Sequence, residues 1–79
     1  MESHVFRQSG VVSMRGLVRR INRALPELVR LRIARAWYSD LGNFYIHDFN
    51  TNIITAGHVD PEAMGRRMGV LKPHEWVLR

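Results

Sequence analysis

Hydrophobic periodicity changes at Pro26, and that change limits the folds open to the chain more than any other feature. Before it, Met14, Leu17, Val18, Ile21, Ala24 and Leu25 recur at the i, i+3, i+4, i+7 spacing of an amphipathic helix. At 100° per residue they fall within an arc of about 120°. The opposite side carries Arg15, Arg19, Arg20, Asn22 and Arg23. Ser13 is placed to cap the helix N-terminus, and Pro26 disfavours helical geometry at Leu25 and ends it. After Pro26 the period is two. Val29, Leu31, Ile33, Arg35 and Trp37 alternate with Arg30, Arg32, Ala34, Ala36 and Tyr38, which reads as a strand. A chain that makes this switch is neither all-helical nor all-β.

The remainder supplies two more strands and a second helix. Ser39-Asp40-Leu41-Gly42 is turn chemistry, and Asn43 to Phe49 is dense in aromatic and β-branched residues. Asn50-Thr51-Asn52 makes another turn, because Asn tolerates left-handed backbone geometry. Ile53-Ile54-Thr55-Ala56 returns as a third strand. Asp60, Pro61 and Glu62 open a helix as N-cap, first helical residue and dipole partner, and Gly69 closes it near Met68. Val70 and Leu71 pack back, and Pro73 begins a last turn ending at Trp76. The expected fold is α+β in the order α-β-β-β-α, a three-stranded antiparallel meander with helices packed on one face. Residues 1–13 show neither periodicity nor caps and read as a loose N-terminal arm, leaving 14–79 as a single compact domain.

Seventy-nine residues bury only about 60% of the surface that the unfolded chain exposes, so packing alone supports a small margin of stability. There is no cysteine, hence no disulfide and no thiolate-bound zinc. Support comes from the core, from a partner, or from self-association into a homo-oligomer. The first residues lack the pattern of a secretory signal, and no apolar run approaches the roughly 18 residues that span a bilayer. The cytoplasm is the expected compartment.

Charge is distributed unevenly. Twelve basic residues, eleven of them Arg, stand against seven acidic ones. Between Val5 and Arg35 eight arginines face one acid, Glu27, a balance of +7. From Ala36 onward four bases face five acids, a balance of −1. Such asymmetry points to a polyanionic or acidic partner.

The residues argue against catalysis. No serine sits in a nucleophile elbow, and the glycines make neither a phosphate loop nor a dinucleotide fingerprint. The histidines at 4, 47, 58 and 74 lack the spacing that puts two ligands on one element. No metal and no cofactor is expected. A small basic ribonuclease would need phosphate-binding and proton-moving groups together, with Arg30, Arg32, Tyr45, His47 and His58 as the available set. A hairpin turning at Asn50-Thr51 pairs His47 with Ile54 and leaves His58 near Asn43. That separates the two histidines by about 13 Å along the strand, at about 3.3 Å per residue.

Two surfaces suit nucleic acid. Arg15, Arg19, Arg20 and Arg23 line the polar side of the first helix, continued by Arg30, Arg32 and Arg35, and can track phosphates. The same helix face is also compatible with an anionic membrane or with plain solvent, but it carries no Trp or Phe to anchor at headgroups. If Val29, Leu31, Ile33 and Trp37 point inward, then Arg30, Arg32 and Tyr38 point outward with Tyr45 and His47, a face that can contact phosphates and stack on bases. The order of three strands followed by a helix is similar to the small sheet-reading DNA-binding arms of phage-type integrases, in topology and without a shared residue motif. Short Arg-rich chains are also plentiful in phage and mobile-element genes. The segment from Pro61 does not make a helix-turn-helix, because a recognition helix from Pro73 would be too short to fill a major groove. The expectation is a non-enzymatic nucleic-acid-binding accessory protein. The alternative is a protein–protein module, a phage-type inhibitor or oligomer subunit, anchored on Trp37, Phe44, Phe49 and Trp76, with an acidic protein surface as its partner.

Overall fold

A computed structural model describes residues 10–78, apart from the side chains of Trp37 and Tyr38. Residues 1–9 of the expected arm lie outside this range. The order is β1 (Val11–Ser13), α1 (Met14–Ala24), β2 (Val29–Tyr38), β3 (Gly42–Asp48), β4 (Ile53–Ala56), α2 (Pro61–Met68) and β5 (Trp76–Leu78). The domain is α+β. Strands β2, β3 and β4 form an antiparallel meander, and β1 and β5 form a separate parallel pair.

Both helices begin and end on the expected signals. Ser13 Oγ accepts the Gly16 amide at 3.0 Å, and the Leu25 amide donates to the Ile21 carbonyl as α1 closes before Pro26. Asp60 Oδ1 accepts the Glu62 amide at 3.1 Å, with Pro61 following. Gly69 ends α2 in the left-handed region at φ 78°.

The core is built from Val12, Leu17, Val18, Ile21, Leu31, Ile46, Leu71 and Val77. Leu17, Ile21 and Leu31 are fully enclosed. Leu31 and Ile46 are opposed across β2 and β3, so this face of the meander is the inner one. α1 packs directly against β2, and α2 packs against α1. The two helices meet closely at Gly65, where an added Cβ would stand 2.7 Å from Leu17 Cδ1.

Two segments differ from the sequence reading. Val11–Ser13, assigned to the arm, is strand β1, and the last turn gives way to strand β5 at Trp76. The two pair as Val11↔Trp76, Val12↔Val77 and Ser13↔Leu78, burying Val12 and Val77. Three-residue strands carry too few positions to show a period, and each has its partner at the other end of the sequence. Ile33 also departs from expectation. It was placed inward, yet it is 52% exposed, at the last regular pair with Phe44 before the β2–β3 register shifts toward Tyr38.

Candidate nucleic-acid interface

The register of the meander assembles the outer face. Arg30 stands opposite His47 and Arg32 opposite Tyr45. Directly opposed residues share a face, and these four alternate with Leu31 and Ile46, so they lie on the side away from the helices. On β4, Ile54 is opposite His47 and joins them. The register shift between Ile46 and His47 keeps the pairing of His47 with Ile54 while moving the following residues by one.

Phe49 completes the set. It follows β3 and has the same parity as Tyr45 and His47. Its ring stacks on His47 with centroids 4.1 Å apart and planes 20° from parallel. The Arg32 guanidinium carbon lies 5.7 Å from the same ring centroid, within cation–π range. The turn into β4 holds this arrangement. His47 Nε2 lies 3.0 Å from Asn52 Oδ1, and Asp48 Oδ1 accepts from the Asn50 amide at 2.8 Å and from its side chain at 3.1 Å. Arg30 Nη1 donates to the Val29 carbonyl at 3.0 Å. Phe49 and Ile54 remain 40% and 42% exposed. Arg30, Arg32, Tyr45, His47, Phe49 and Ile54 therefore form a face of two cations, three rings and one aliphatic group, with no carboxylate at these positions among the described residues.

The helix arginines divide into two kinds. Arg15, Arg19 and Arg23 are exposed. Arg20 instead makes a bidentate pair with Glu75, at 2.8 Å to Oε1 and 3.1 Å to Oε2, and donates to the Val70 carbonyl at 3.0 Å. Glu75 is buried and also accepts the Lys72 amide at 2.8 Å. The Arg20 hydrogen bonds first, and the Lys72 amide second, hold the Glu75 carboxyl at about 2 against an ordinary 4.5, and the same pairing raises Arg20. Arg66 acts on the same loop, donating to the Lys72 and Glu75 carbonyls at 3.1 and 2.9 Å. Arg20 and Arg66 are thus clamps on the segment between α2 and β5, not free cations.

The helix stripe and the sheet face are not brought together. α1 lies on the Leu31 side of β2, whereas Arg30 and Arg32 point to the other side. Arg35 is exposed within the irregular stretch between Ile33 and Tyr38. The aromatic anchors of the alternative interface are also dispersed. Phe44 packs against the core, Phe49 belongs to the outer face, and Trp76 is exposed on β5. The Trp37 and Tyr38 side chains lie outside the described set. His58 occupies the opposite end of β3 from His47, with Nε2 2.7 Å from the Ser39 carbonyl and its amide donating to Leu41. Among the described residues no group of three His, Asp or Glu is placed to hold a metal, and no helix is long and apolar enough to cross a membrane.

No protein family, curated protein or solved structure matches this chain.

Sequence reasoning paired the arginines of β2 with Tyr45 and His47 but left Phe49 and Ile54 out of that face. The parity of Phe49 with His47 was the available signal. For Arg20 the signal was its place on the helical wheel, about 40° from Ala24 and thus at the border of the apolar arc.

Proposed function

We propose that this domain binds nucleic acid through the outer face of its meander. The observation that carries the reading is the face, acid-free among the described residues, on which Arg30 and Arg32 flank the stacked His47–Phe49 rings, Phe49 being exposed. Guanidinium groups neutralise phosphates, and flat rings offer surface to bases or sugars. The exposed Arg15, Arg19 and Arg23 of α1 add a second positive surface that draws a polyanion toward the domain.

The test is fluorescence anisotropy with short labelled DNA and RNA across a salt series. Binding in the micromolar range at physiological salt, weakening linearly on a log–log plot, is the expected result. Arg30→Ala with Arg32→Ala should lower the slope by about 0.7 to 0.9 per lost phosphate contact. Arg20 is left intact in every variant, because removing it would break the clamp on Glu75. Absence of binding even at low salt overturns the reading.

A second reading, a protein–protein module, draws on the exposed apolar residues Leu28, Ile53 and Ile54 around the ends of the meander and on Trp76 and Leu78 of β5. Salt-insensitive binding to an apolar protein surface, lost in Ile53→Ser and unaffected by Arg30→Ala, would favour it.

A further inference from the structure

Resting on the nucleic-acid reading, we infer that the ligand of the outer face is a single strand with unpaired bases rather than a duplex. The rings are the reason. In a duplex every base is already stacked on its neighbours, so a protein ring meets only sugar, phosphate or base edges. Here His47 and Phe49 already stack on each other at 4.1 Å, and the surface of Phe49 that stays open, 40% of the residue, can extend that stack with an unpaired base. Ile54, beside His47 and 42% exposed, has no part in binding phosphate but extends the apolar floor under a base.

The polar groups point the same way. Duplex readout relies on side chains free to reach base edges with two donors or with donor and acceptor together. On this face Arg32 lies over the Phe49 ring, Arg30 is tied to the Val29 carbonyl, and the Asn52 oxygen is occupied by His47. These groups are positioned to accompany a backbone and brace a stacking surface. Tyr45, His47 and Phe49 share one parity, so rings recur at every second residue on this face. A flexible single strand can lay successive bases along such a row; a stiff duplex touches it at few points.

The experiment compares a labelled 12-nucleotide single strand of mixed sequence with its own duplex, at one salt concentration, for the native protein and for Phe49→Leu. Leucine keeps apolar volume and removes the ring, and Phe49 lies outside the core, so thermal unfolding of the variant should match the parent. The expected result is tighter binding of the single strand than of the duplex by at least about tenfold. Phe49→Leu should lose about 5- to 100-fold on the single strand with an unchanged salt slope, the scale of one base–aromatic stack. Duplex binding equal to or tighter than single-strand binding, or an unchanged single-strand affinity in Phe49→Leu, overturns the inference while the nucleic-acid reading stands. If neither form binds, both fall.

Discussion

Asn22 shows how much one side chain can do in a domain this small. Its amide bridges α1 to β2, accepting the Leu31 amide at 2.7 Å and donating to the Leu31 carbonyl at 3.1 Å. It thereby takes the place of a neighbouring strand on the open edge of β2, where an unpaired backbone would otherwise face the helix. Asn22→Ala should cost about 1–3 kcal/mol in urea unfolding, since it strands two backbone groups. Gly69→Ala is a different case. Nothing lies within 4 Å of the added carbon, so the loss, about 1–2 kcal/mol, comes wholly from the left-handed backbone at φ 78°. Glu75 ties stability to acid. Its carboxyl titrates at about 2 when folded against an ordinary 4.5, so the folded state binds fewer protons than the unfolded chain between those values. Its stabilisation is full above pH 4.5 and is lost as pH falls through about 2. The melting temperature should therefore drop across that window, and Glu75→Gln, less stable at neutral pH, should show a shallower drop.

At the level of elements, the contact of α1 with α2 depends on Gly65. Alanine there improves helix propensity by about 1 kcal/mol, but its Cβ would stand 2.7 Å from Leu17 Cδ1, and Leu17 is fully enclosed. Overpacking of this kind typically costs about 1–3 kcal/mol, so Gly65→Ala should lower stability or leave it unimproved, with earlier hydrogen exchange in α2. Most elements were legible in the sequence because their signals are local. The 3.6-residue period, Pro26, the Asp60-Pro61 start and the Asn-rich turn each act within a few residues. The outer face was half legible for the same reason, since alternation alone separates Arg30 and Arg32 from Leu31. What escaped depends on distant partners: β1 needs β5, and Arg20 needs Glu75. Asn22 was grouped with the solvent side of α1, although it borders the apolar arc about 40° from Val18, mirroring Arg20 on the other flank. Residues on both flanks reach for neighbouring segments, while Arg15, Arg19 and Arg23 between them remain exposed.

For the whole molecule, the core among the described residues is eight buried apolar side chains, a small one. At about 0.05–0.15 kcal/mol per residue, a domain of this length holds roughly 4–12 kcal/mol. Leu31→Ala, which removes a fully enclosed side chain of β2, should take about 2–5 kcal/mol of that, read as a lower midpoint of urea unfolding. The pairing of β1 with β5 places a further demand on how the protein is made. During synthesis Val12 leaves the ribosome 65 residues (77 − 12) ahead of Val77, its partner across the parallel pair. Until then the hydrophobic surface of α1 has no finished core to enter, and the nascent chain is open to proteases and chaperones. A chain released before Trp76 therefore leaves Val12 without its covering strand, and it should be cleared from the cell faster than one that includes Leu78.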